Sequence, residues 1–307
     1  MKPLLAIQHL SRRFAGQLAV NDISFELHAG EVLGFLGPNG AGKSTTMRMI
    51  SGGLAPTGGK IEINGIDLLE YPLKAKSSLG YLPENPPLYP ELTVDEYLRF
   101  AGELRKIPKS DLARAVESVK NQCGLSDSGK RLIANLSKGY QQRVGIAQAI
   151  IHDPAVVILD EPTNGLDPNQ IQEIRSLVRE LGKTRGIILC THILPEVQAA
   201  CSRVMILHQG QLVFSDDLIN LSRTQRNKLL LSLRNPPELQ ALNELPGVTR
   251  ASATGPTRFR LEMHEQADAT VIAQQVSANG WQLEEMRWEH EDLQQIFTRL
   301  TTSEVAA

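Results

Sequence analysis

Cysteine is scarce in this chain. Its three cysteines, Cys123, Cys190 and Cys201, are too few and too scattered for a disulfide framework or a cysteine-ligated zinc. They read as small buried hydrophobes of a reducing compartment. Any large excess of positive or negative charge is lacking too: the net charge is −2, which gives no bulk electrostatic case for nucleic acid or anionic lipid. No apolar run approaches the ~18 residues a membrane span needs. The opening stretch MKPLLAIQHLSRRF lacks the apolar core and small-residue cleavage site of a secretory signal. If the protein works at a membrane, another molecule must hold it there. Internal repeats and low-complexity tracts are absent as well. Against these absences, 41% hydrophobic and 21% charged residues describe a packed, water-soluble chain, and 307 residues suffice for a large domain and a small one.

Along the chain, apolar runs alternate with turns. LLAIQHL, LAVNDISFEL and EVLGFLG have strand composition, the last running into a glycine-rich turn. Residues 43–54 have helical spacing, KIEINGIDL is a strand carrying an Asn64-Gly65 turn signal, and LGYLPE is a short strand. TVDE, Thr93–Glu96, has the form of a capping box opening an amphipathic helix through Leu98, Phe100 and Leu104. A second helix is expected from Ser110 to Cys123, ended by Gly124. LSKGYQQR then predicts a helix capped by Ser137. It is followed by strand AVVILDEP, a helix from Pro168 to Leu181, and strand GIILCTH. Strands as continuously apolar as AVVIL and GIIL fit a parallel sheet buried on both faces. The fold class is α/β.

Past Phe214 the pattern changes. NKLLLSLRN predicts a strand, PPELQALNEL a helix with Asn235 as cap and Pro236 in its first turn, and GVTRASA with TRFRLEM a hairpin. ADATVIAQQVSANG predicts a helix ended by Asn279-Gly280, and WQLEEMRWE a strand. The order β-α-β-β-α-β is that of a small α+β, ferredoxin-like domain. A last helix carries Leu293, Ile296, Phe297 and Leu300 at helical spacing. The expected domains are residues 1–216 and 217–307.

The chemistry is concentrated in the first of these. Gly37, Pro38, Asn39, Gly40, Ala41, Gly42, Lys43, Ser44 and Thr45 match G-x-x-x-x-G-K-[ST] between a strand and a helix. Glycines let backbone N–H groups turn toward phosphate oxygens, and the helix that follows presents its positive end. Lys43 is suited to bridging β and γ phosphates and Ser44 to giving Mg²⁺ a hydroxyl. The bland alternative is a glycine-rich turn with an incidental lysine. A phosphate site of this kind needs a carboxylate on a neighbouring strand, and VVILDEP supplies Asp160 and Glu161. The bland alternative for that pair is a solvated strand end. As a working pair, Asp160 serves the metal shell and Glu161 acts as general base on water. That division implies hydrolysis.

With LSKGYQQR, VVILDEPTNGLD and CTH following the phosphate loop in that order, the chain resembles the ATP-binding subunits of ABC transporters over residues 4–215. Within them it is similar to the exporter-type subgroup that works with a separate permease. The resemblance implies a P-loop ABC ATPase domain with an antiparallel β subdomain and a helical subdomain. It also implies ATP and Mg²⁺, and a second copy of the chain arranged so that ATP is sandwiched between two head-to-tail cassettes. It further implies a polytopic membrane permease as partner, work at the cytoplasmic face of the cell membrane, and export. No nucleic-acid partner is expected. Ser137 and Gly139 would cap the γ phosphate held by the opposite P-loop, as a helix N-terminus can. Phe14 falls where the family stacks an aromatic on adenine, with a core phenylalanine as the alternative. Asp167 matches the loop that contacts the other protomer, or simply caps the helix opened by Pro168. His192 matches the histidine that reaches the γ phosphate.

Two places depart from the family pattern. Lys138 and Tyr140 replace a glycine and a glutamine of the signature, and Glu84 stands where a glutamine is usual. A carboxylate at Glu84 can still ligate Mg²⁺ beside Ser44 and Asp160, but it changes the charge of the site. A soluble ABC-type ATPase acting on ribosomes or DNA is the competing function. Those usually carry two cassettes in one chain or long coiled coils, and neither occurs here. A non-hydrolysing regulatory subunit is disfavoured by Lys43, Asp160, Glu161 and His192 standing together. Residues 84–124 are the expected docking face for a permease, with helices packed only against one another by their apolar positions as the alternative.

Overall fold

The computed structural model describes residues 2–223, 228–264, 267–288 and 292–302. The described residues fall into two compact units, 2–218 with 300–302 and 219–299, against an expected boundary at 216/217.

The first unit is built on a six-stranded sheet. Its strands lie in the order Gln211–Asp217, Arg203–His208, Val32–Leu36, Gly186–Thr191, Val156–Asp160 and Leu79–Leu82. All neighbours run parallel except the Gln211–Asp217 edge strand, which is antiparallel to Arg203–His208. Val32–Leu36, Val156–Asp160 and Gly186–Thr191 are buried at every residue. The pleat then sorts their side chains. Val157, Leu159, Ile187 and Leu189 join one core, while Val156, Ile158, Ile188 and Cys190 join another, because successive strand residues face opposite sides. The first core is shared with helices Val94–Leu104, Lys109–Cys123, Lys138–Ile150 and Pro168–Gly182. The second is shared with helix Lys43–Ile50 and a four-stranded antiparallel sheet ordered Gln17–Leu27, Leu5–Phe14, Gly58–Ile63, Ile66–Asp67. Asn64 and Gly65 both take positive φ, 51° and 74°, so the expected single strand KIEINGIDL is a tight hairpin.

Local signals account for the helix ends. Thr93 Oγ1 accepts from the Glu96 backbone N–H, while Glu96 accepts from the Thr93 N–H, closing the capping box. Gly124 ends Lys109–Cys123 in the left-handed region, at φ 66°.

In the second unit the strands are Lys228–Leu233, Val248–Ala253, Arg258–Met263 and Leu283–Trp288. In sequence numbering the sheet reads second, third, first, fourth, with antiparallel neighbours throughout. This is the strand order of a ferredoxin-like split β-α-β unit. Its core gathers Leu229, Leu231, Leu242, Phe259, Leu261, Ile272 and Val276. One expected detail is corrected: the helix starts at Leu239 with Glu238 as N-cap, not at Asn235 and Pro236. The Pro236-Pro237 pair explains it, since a residue before proline is pushed out of the helical region.

Candidate functional site

A parallel sheet delivers the ends of its strands to one edge, and four of them end on the residues of interest. Val32–Leu36 runs into Gly37, Leu79–Leu82 leads to Glu84, Val156–Asp160 ends at Asp160 with Glu161 next, and Gly186–Thr191 ends before His192. That edge is where ligands of open α/β sheets bind. A cavity of about 390 Å³ lies there, lined by the loop residues Asn39, Gly40, Gly42, Lys43, Ser44 and Thr45 and faced by Glu84, Glu161 and His192.

The loop's shape depends on two glycines. Gly42 takes φ 104° and a Cβ there would stand 2.5 Å from the Ala19 carbonyl oxygen; at Gly37 a Cβ would meet the Leu207 carbonyl at 2.4 Å. Gly42 is also the N-cap of helix Lys43–Ile50 and offers it no side chain, which leaves its first N–H groups to other acceptors. Lys43 is buried, and its ammonium donates to the carbonyls of Gly37 at 2.8 Å and Pro38 at 3.2 Å.

On the facing side, Glu161 is buried and carries a φ of 48°, a conformation that non-glycine residues rarely adopt. One carboxylate oxygen lies 2.8 Å from His192 Nδ1, and the other lies 3.4 Å from the Thr191 hydroxyl oxygen. Asp160 is buried, and burial above all raises its carboxyl above the ordinary range. The charges of Glu161 and Glu84 push the same way, while the Cys190 thiol, hydrogen-bonded to it, and Lys43 oppose them. Asp160 Oδ1 is buried with no hydrogen-bond partner among the described residues.

Gly37, Pro38, Ala41 and Asp160 do not line the cavity themselves, and Phe14, Ser137, Gly139 and Asp167 stand outside it. Phe14 is 42% exposed, not a core residue, with the Arg12 guanidinium 4.5 Å from its ring centre. Ser137 caps Lys138–Ile150 by accepting from Tyr140 N–H at 3.4 Å, and Gly139 lies against the side chain of Gln170. Asp167 caps Pro168–Gly182 through Gln170 N–H at 2.9 Å. Two residues of the site carried no sequence expectation. Asn164 lines the cavity and donates to Glu84 at 3.2 Å. Glu196 is buried and accepts from Thr163 and Thr191. A larger cleft of about 500 Å³ lies in the second unit beside Arg258 and Arg287, and its lining holds Glu285 but no histidine.

A family model described as ABC transporter matches residues 20–164. The bacitracin transport ATP-binding protein BcrA of Bacillus licheniformis is 35% identical over 246 residues, covering 80% of this chain and 79% of that protein. The linearmycin resistance ATP-binding protein LnrL of Bacillus subtilis (strain 168) is 30% identical over 310 residues, covering 97% of this chain and 98% of that protein. The chain belongs to the ATP-binding proteins of ABC transporters. A solved ATP-binding subunit of an ABC transporter overlays it with a TM-score of 0.65 at 35% identity, covering 72% of this chain and 92% of that one.

As an ABC transporter subunit, this protein binds and hydrolyses ATP. Members of this family work with membrane permease subunits and form dimers. Among the described residues no helix is long and apolar enough to cross a membrane. The chemistry of the site also fits Mg²⁺. The orphaned Asp160 oxygen and the Ser44 hydroxyl are hard oxygen donors, and no group of three or more His, Cys, Asp or Glu among the described residues forms a metal cage. An ion held chiefly by phosphates and water needs only such a partial shell.

Proposed function

We propose that this ABC subunit drives export through a separate polytopic permease at the cytoplasmic face of the cell membrane, as a pair of cassettes that close on two ATP molecules. The observation that carries the reading is the meeting, in one cavity, of the phosphate loop with the Glu161–His192 pair. Gly37 to Thr45 wrap the phosphates, and Lys43 moves from its own loop carbonyls to their oxygens. Ser44 and Asp160, with Glu84 beside them, would hold Mg²⁺, which would neutralise charge on the phosphates. Glu161 takes a proton from the water that attacks the γ phosphorus, the bond to ADP breaks, and His192 orients Glu161. Phe14 offers the face of its ring not covered by Arg12 to adenine. Ser137 and Gly139 present a helix N-terminus, and Asp167 its loop, to the site of the second copy.

Partner docking is supported by an apolar patch on the helical segment. Tyr89, Phe100 and Leu104 are exposed, and the Tyr89 ring packs edge-on to Tyr97 at 6.1 Å and Phe100 at 5.7 Å. Export is supported by the relatives named for bacitracin transport and linearmycin resistance, since resistance is served by outward movement. Replacing Phe100 and Leu104 with serine is the test. The soluble chain should keep its ATP binding and lose co-purification with the permease, and retained co-purification would refute this docking face.

A further inference from the structure

We infer that Glu196 is a positioning residue for ATP hydrolysis, a buried clamp that fixes Glu161 against His192; this rests on the roles proposed for those two. Glu196 is 1% exposed, and each of its carboxylate oxygens serves a different chain segment. Oε1 accepts from the Thr163 hydroxyl and Oε2 from the Thr191 hydroxyl, the latter at 2.8 Å. Thr163, 4% exposed, lies two residues after Glu161, and Thr191, fully buried, immediately precedes His192. One carboxylate therefore ties together the two chain segments whose tips carry the catalytic pair.

The tie acts where the backbone needs it. Glu161 sits at φ 48°, and such a conformation persists only where its surroundings over-determine it. Thr191 continues the chain of contacts, since its hydroxyl also lies 3.4 Å from Glu161 Oε2 and accepts from the Ile193 N–H at 3.1 Å. From Thr163 the path runs to Asn164, whose N–H donates to the Glu161 carbonyl at 3.2 Å and whose side chain reaches Glu84. A carboxylate accepts from both threonines at once. Glutamine keeps the volume but has one neutral acceptor oxygen and an amide that donates, so Glu196→Gln replaces two charge-assisted bonds with neutral ones, reverses the hydroxyl proton at one threonine and loosens the clamp.

The test is steady-state ATP hydrolysis by the full chain. Glu196→Gln should lower kcat roughly ten- to a hundredfold, as small misplacements of catalytic groups do, with KM for ATP within about twofold and the melting transition retained. Adding Thr191→Val to Glu196→Gln should cost little more, because both act through one contact chain. If Glu196→Gln does not fold, Thr163→Ser should keep activity while Thr163→Val lowers kcat. A wild-type kcat in Glu196→Gln, with Glu161→Gln inactive, overturns the clamp and leaves the base assignment standing. Full additivity with Thr191→Val, or a kcat loss matched by a rise in KM, overturns it too. An active Glu161→Gln removes the base assignment, and the clamp with it.

Discussion

Glu161→Gln is the change that separates binding from chemistry. The side chain is buried between His192 Nδ1 at 2.8 Å and the Thr191 hydroxyl at 3.4 Å. Glutamine has the same shape, and its amide group can meet both neighbours after a ring or hydroxyl proton is rearranged, so the pocket keeps its form. The phosphate loop and Asp160 are untouched. What disappears is the proton acceptor for the attacking water, and positioned acid–base groups contribute roughly a hundred- to ten-thousandfold. Such a loss corresponds to about 3–5 kcal/mol of barrier. Phosphate release under saturating ATP and Mg²⁺ should fall by that factor while ATP affinity holds. Light scattering after size exclusion should then show an ATP-bound dimer accumulating. Hydrolysis within about twofold of wild type would refute the base assignment, and a chain that stays monomeric with ATP would refute the shared site.

Lys43→Ala removes the ammonium that now bridges the Gly37 and Pro38 carbonyls; ATP binding or turnover should be abolished, as read by calorimetry and phosphate release. Thr93→Ala breaks the capping box and should cost about 1 kcal/mol of stability in urea unfolding with the ATPase intact. His152 is pushed down to about 4 by burial first and the charge of Arg105 second. Its folded pKa lies below the unfolded value, so its contribution is full above the unfolded pKa, is lost as pH falls toward about 4, and levels off below. His152→Gln should flatten that part of the stability–pH curve, measured by denaturant unfolding, by at most about 3 kcal/mol.

The main sheet was legible because its strands are short, apolar and punctuated, and the phosphate loop because its spacing is dictated by phosphate geometry. Capping signals at Thr93, Ser137 and Asp167 are local hydrogen bonds, so sequence alone locates them. Glu196 and Asn164 were not legible. Their roles arise from contacts across the fold, Glu196 with Thr163 and Asn164 with Glu84, and a single Glu in a helix's first turn reads only as a favourable charge. An Asn235 cap is excluded by Pro237, which pushes Pro236 out of the helical region, and that rule is local. Phe14 was ambiguous because one aromatic on a strand serves a core or a surface equally; the structure exposes it under Arg12.

If this ATPase works as one part of a membrane transporter, tagged Glu161→Gln chain recovered with ATP present from detergent-solubilised membranes of its own cell should carry its permease with it. Mass spectrometry of the recovered complex should show a polytopic membrane protein in stoichiometric amount. Recovery only from the soluble fraction, with ribosomal or DNA-bound partners, would contradict that role.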